Sequence, residues 1–74
     1  MYFVYVLRSL KDGRCYTGCT RDVSERLKRH NAGRVKSTKY RKPLEIVHVE
    51  EYRTLSEARI KESLLKKKSK LNLL

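Results

Sequence analysis

Five side chains in this 74-residue sequence are of types that move protons or bind charge: Tyr5, Tyr16, Arg26, His30 and Glu62. Arg26 and His30 are spaced for one helical turn, which leaves about 6 Å between their β-carbons and lets both reach one ligand. The guanidinium is planar and always charged, so that ligand should be an anion with paired oxygens. Glu62 poses the opposite problem. At helical 100° intervals it falls beside Leu55, Ala58 and Leu65, while Lys61, Lys67 and Lys68 point elsewhere. An acid bordering an apolar stripe needs a cation, and a salt bridge to a nearby Lys or Arg is the simplest supply. Tyr5 and Tyr16 either pack against each other or carry a proton.

The elements that hold these residues follow from pattern. Phe3 to Leu7 is a run of β-branched, aromatic and aliphatic residues, and Arg14 to Gly18 is strand-like as well. Asp12-Gly13 between them is a hairpin turn signal. The two strands should therefore be antiparallel neighbours, with Tyr5 near Tyr16. From Asp22 the period becomes helical, with Asp22 and Glu25 as a capping box and Val23, Leu27 and His30 on one face. Asn31-Ala32-Gly33 supplies the stop. Pro43 opens a third strand, Leu44 to Val49, apolar enough to predict a central strand covered on one side. A second capping box, Thr54 to Glu57, starts a helix expected to reach about Ser69, with Leu71 to Leu74 fraying or folding back.

Composition narrows the partners. Nineteen Lys and Arg against eight Asp and Glu give a formal charge of +11, and eight of the basic residues lie between Arg26 and Lys42 with no acid among them. Such a field favours polyanions, with nucleic acid ahead of an acidic protein or a membrane surface. No stretch approaches the roughly 18 apolar residues of a membrane span, and the amino terminus lacks the pattern of a secretory signal. These features predict a soluble, cytoplasmic, single domain over residues 1–74. Cys15 and Cys19 are too few for a disulfide framework. On one strand their α-carbons would lie about 13 Å apart, beyond disulfide reach.

In order and spacing, these landmarks resemble the GIY-YIG nuclease domain. The first motif reads Phe3-Val4-Tyr5 and the second Tyr16-Thr17-Gly18, followed by the segment Thr20 to Asn31 that carries Arg26 and His30. Ser37-Thr38-Lys39, Pro43-Leu44 and Ser56-Glu57-Ala58 match further on, then the acid Glu62 with Lys66 one turn later. Phe3 stands in place of the first glycine, Thr17 in place of isoleucine, and Lys61 where many relatives have arginine. The resemblance runs from Tyr2 to about Ser69 and is closest to small, stand-alone members. It implies an α+β fold: a three-stranded antiparallel sheet flanked by helices.

The resemblance also implies roles. Cleaving a phosphodiester needs an activated water, neutralisation of charge on the non-bridging oxygens and stabilisation of the leaving oxygen. Glu62 would anchor a divalent cation, Mg2+ or alternatively Mn2+, which keeps its waters and borrows substrate oxygens. Arg26 would contact the phosphate, and lysine there should be a poor substitute. Tyr5 or Tyr16 would activate the water, with Arg26 and the positive field expected to lower its pKa. His30 would hydrogen-bond the tyrosine, the water or the phosphate. Gly18 should allow a helix or phosphate to approach, and Asn31 belongs to the motif. Lys36, Ser37, Thr38, Lys39, Arg41 and Lys66 are candidates for holding the nucleic-acid backbone.

The expected function is thus a metal-dependent endonuclease acting on DNA, selective for structure because no helix-turn-helix or finger reads base edges. The alternative is a nucleic-acid-binding module that is non-catalytic or activated by a protein partner. Steep salt dependence without metal-dependent products would distinguish it.

Overall fold

The first apolar run forms strand β1 (Tyr2–Ser9), which turns back through a loop into β2 (Cys15–Thr20). Gly13 sits at φ +75° in that loop, the left-handed conformation that favours glycine. The Ser9 hydroxyl gathers the loop by accepting from the amides of Lys11 and Asp12. Helix α1 (Val23–Asn31), strand β3 (Leu44–Tyr52) and helix α2 (Leu55–Asn72) follow. This computed structural model describes residues 1–72, with side chains to residue 67. The sheet is antiparallel throughout, in the order β2-β1-β3. Among the described residues no helix is long and apolar enough to cross a membrane.

The sheet order corrects one expectation. The apolar run Leu44 to Val49 does not form the central strand; β3 lies at an edge, and β1 occupies the centre. Val4, Tyr5 and Leu7 are at most 1% exposed, so β1 is covered on both faces. On β3 only Leu44 is buried, while Ile46, Val47 and Val49 are 39%, 47% and 43% exposed. Composition alone does not separate these strands, because both are apolar runs. Opposite the step from Val6 to Leu7, the pairing shifts from His48 to Ile46 and leaves Val47 as an extra residue on β3.

Both helices begin where their caps predict. The Asp22 carboxylate accepts from the Glu25 amide at 3.0 Å, and the Thr54 hydroxyl from the Glu57 amide at 3.2 Å. Each box is half made, with the amide bond to the cap alone; the Glu25 side chain pairs instead with Arg29 one turn on, at 2.9 Å. Gly33, at φ +75°, ends α1 with its amide donating to the His30 carbonyl. Helix α2 continues to Asn72, past the expected end near Ser69. The expectation for Leu73 and Leu74 lies outside the described residues.

The core is small. Tyr5, Leu7 and Leu44 form its buried cluster, with Tyr16, Val23 and Leu27 packed against it. The Val23 and Leu27 contacts bring α1 onto the side of the sheet that carries Tyr5. Asn31 then fixes the helix end to the start of β3: its Oδ1 accepts from the Leu44 amide at 2.7 Å, and its Nδ2 donates to the Leu44 carbonyl at 3.1 Å. One amide side chain thereby satisfies both backbone groups of a buried residue, as a neighbouring strand would. Helix α2 packs across all three strands and buries Ala58.

Candidate active site

The hairpin register pairs Tyr5 with Gly18 and Leu7 with Tyr16. Tyr5 and Tyr16 are therefore diagonal neighbours on one face, with ring centroids 6.4 Å apart. Gly18 is required by this geometry. A β-carbon there would lie 2.5 Å from the Tyr5 Cζ, inside any permitted contact. The expectation that Gly18 admits a helix or phosphate is therefore corrected, since what it admits is the Tyr5 ring.

Helix α1 delivers His30 to the same place. Its ring lies 4.8 Å from that of Tyr16 and 6.0 Å from that of Tyr5, edge-on to the latter. The imidazole is fully buried and bonded at both nitrogens: Nε2 to the Tyr5 hydroxyl at 3.2 Å and Nδ1 to the Thr38 hydroxyl at 2.7 Å. Burial lowers its pKa, and the Arg26 charge adds to that, so the ring is held neutral. Of the three ligands considered for His30, the tyrosine is the one it meets.

Arg26, one turn before His30, is half-buried. Its pKa is raised by the Tyr5 hydroxyl beside it, against a smaller opposing effect of burial. Its Nε is buried with no hydrogen-bond partner in the protein. An unsatisfied buried donor is costly, so this N–H is available to an incoming acceptor.

For Tyr5 the expected pKa direction is reversed. Burial raises it, the Arg26 guanidinium offsets part of that rise, and Tyr16 and Glu62 add to it. Proximity to an arginine favours the phenolate, but loss of solvent outweighs it at a side chain 1% exposed. Tyr16 is more open.

Glu62 comes from α2 and reaches this group through its charge, which contributes to the shifts of Tyr5 and Cys19. The cation its position demands is Lys66, one turn on at 3.0 Å. Among the described residues no three His, Cys, Asp or Glu side chains gather into a closed metal cage. A single half-buried carboxylate suits a magnesium-like ion that fills its shell with water and substrate oxygens. The donor set fits an ion of that kind, which Glu62 would hold.

The basic loop divides. Lys36, Ser37 and Lys39 are exposed. Arg41 is tied down, with Nε 3.4 Å from the Asp12 carboxylate and its carbonyl accepting from the Ser9 hydroxyl at 2.5 Å. Thr38 is fully buried, so it does not face a nucleic-acid backbone as expected. Its contact with His30 joins residues eight apart across a loop, a relation that no helical or strand period encodes.

The sheet carries a tyrosine on each hairpin strand, beside the arginine and histidine of the following helix. The family model described as the GIY-YIG catalytic domain matches residues 1–73, and this chain belongs to that family. Among curated relatives, it is 44% identical over 72 residues to the UPF0213 protein of Listeria welshimeri, covering 96% of this chain and 79% of the relative. It is 47% identical over 58 residues to a UPF0213 protein of Staphylococcus epidermidis, covering 77% and 70% respectively. The solution NMR structure of the UPF0213 protein of Bacillus halodurans superimposes with a TM-score of 0.54 at 37% identity, over 96% of this chain and 82% of that one. A nuclease domain and a nucleic-acid substrate are the family's signature, and its members generally use divalent metal ions.

Proposed function

We propose that this protein is a metal-dependent endonuclease that hydrolyses phosphodiester bonds in DNA, choosing its target by structure rather than sequence. The observation that carries this reading is the convergence of Tyr5, Tyr16, His30 and Arg26 on one face of a GIY-YIG-family sheet. Arg26 binds the scissile phosphate, its fork spanning two oxygens and neutralising the charge that builds there. Tyr16, the more open of the two tyrosines, is the general base that takes the proton of the attacking water. The water oxygen bonds to phosphorus while the bond to the leaving oxygen breaks, and that oxygen is reprotonated from solvent. Tyr5 keeps its proton, and together with His30 holds Arg26 and Tyr16 in place. A divalent ion on Glu62, Mg2+ or Mn2+, would supply Lewis-acid stabilisation of the phosphate. Lys36, Ser37, Lys39 and Lys66 steer and hold the backbone.

The test is a panel of branched, flapped, single-stranded and duplex DNAs and RNAs, with and without Mg2+ or Mn2+, for the parent and Glu62→Ala. The parent should cut branched or flapped DNA, and Glu62→Ala should lose roughly a thousandfold in rate while binding is retained. Equal cutting by both proteins overturns the mechanism. Salt-sensitive binding with no products on any substrate replaces it with the binding-module reading.

A further inference from the structure

Thr38 is the one buried side chain of its basic loop, and it is buried against a histidine rather than against the core. Its backbone is pinned in two successive turns: the Thr38 amide donates to the Val35 carbonyl at 3.1 Å, and the Arg41 amide donates to the Thr38 carbonyl at 2.9 Å. The hydroxyl is therefore a fixed object, 2.7 Å from Nδ1 of His30, whose Nε2 lies 3.2 Å from the Tyr5 hydroxyl. A neutral imidazole has one N–H and one lone pair, so it can donate to only one of these oxygens.

Heavy-atom distances allow either tautomer, and the surroundings decide between them. The Thr38 hydroxyl has an outlet for its own proton in the Val35 carbonyl, 3.5 Å from Oγ1. That leaves an oxygen lone pair to receive Nδ1–H. The phenol is the stronger acid of the two hydroxyls, and it donates to Nε2. With its proton committed to His30, the Tyr5 oxygen keeps its lone pairs free for the nearby Arg26 guanidinium. In the opposite tautomer Nε2–H would claim those lone pairs and compete with Arg26.

We propose that Thr38 is a positioning residue of this site: its hydroxyl holds His30 in the Nδ1–H tautomer, so that Tyr5 donates to Nε2 and keeps its oxygen facing the phosphate-binding Arg26. The inference deepens the nuclease reading and rests on it for its effect on cleavage. The tautomer itself can be measured without any substrate. Thr38→Val keeps the branched shape and removes the hydroxyl, and Thr38→Ser keeps the hydroxyl.

The experiment is a long-range proton–nitrogen correlation spectrum of the histidine side chains in the full chain, for the parent and both variants. Single-turnover cleavage and substrate binding are measured on the same samples. The parent and Thr38→Ser should show His30 protonated at Nδ1. Thr38→Val should shift it toward Nε2–H and slow cleavage, with substrate affinity unchanged. A parent His30 protonated at Nε2 overturns the proposal, as does a folded Thr38→Val with the parent's tautomer and rate. If Thr38→Val does not fold, the parent spectrum and the rescue by Thr38→Ser still decide. A parent that shows the Nδ1–H form but cuts nothing removes the nuclease reading while supporting the hydrogen-bond assignment.

Discussion

The two sides of the candidate site are built on different physics. On the side formed by β1, β2 and α1, Tyr5, His30 and Thr38 are buried and neutral, and each hydrogen bond partner is itself fixed. On the α2 side, Glu62 is held by a charge pair with a lysine whose side chain is 55% exposed. Buried hydrogen-bond networks are rigid because an unmade bond there costs about 1–3 kcal/mol. Exposed ion pairs exchange readily with water and ions, for a median of about 0–1 kcal/mol. The first side suits groups that must be in place before substrate arrives. The second suits a carboxylate that must trade one cation for another.

The strongest way to break this contrast is to push on the buried side where it cannot move. In Gly18→Ala the new methyl meets the Tyr5 ring, which is anchored through its hydroxyl to His30 and has no solvent to move into. Overpacking of this kind costs about 1–3 kcal/mol. Urea unfolding should show a loss in that range. A change below about 0.5 kcal/mol would mean that Tyr5 is free to shift and that the buried side is not rigid.

A smaller effect comes from protons. The His30 pKa is lowered in the folded state from an ordinary 6.5, so the unfolded chain binds a proton that the native site refuses. Stability should accordingly fall as pH drops below about 6.5, by at most about 1.4 kcal/mol per pH unit. Urea midpoints at pH 7, 6 and 5, for the parent and His30→Gln, isolate this contribution. The parent should weaken more than the variant across that window. Parallel profiles would show that His30 does not titrate against folding.

What the sequence disclosed follows the same division. Strands, caps and the helical face of Arg26 and His30 were legible, because each depends on residues within a few positions of one another. The family motifs placed Tyr5 beside Tyr16, and the hairpin register realises that pairing. Three features were not legible. The edge position of β3 follows from its pairing with β1 alone, not from its own apolar run. The raised pKa of Tyr5 depends on how much solvent the finished fold removes. The Thr38–His30 bond depends on the path of a loop, where no periodicity constrains the side chain.

The smallest expected effect tests the exposed side. Lys66→Ala removes the cation now 3.0 Å from Glu62. A single i,i+4 pair on a helix surface contributes about 0.2–0.5 kcal/mol, so unfolding should barely change. The chemical consequence should be larger than the structural one. Lys66 and a divalent ion compete for one carboxylate, and removing the lysine should lower the Mg2+ or Mn2+ concentration needed for half-maximal cleavage. The lysine also lies near the bound backbone in the proposed complex, so its loss should reduce the salt dependence of DNA binding by about one released counterion. A destabilisation above about 1 kcal/mol would instead make the Glu62–Lys66 pair a structural element and erase the contrast. An unchanged metal requirement would show that Lys66 does not occupy the ion's place.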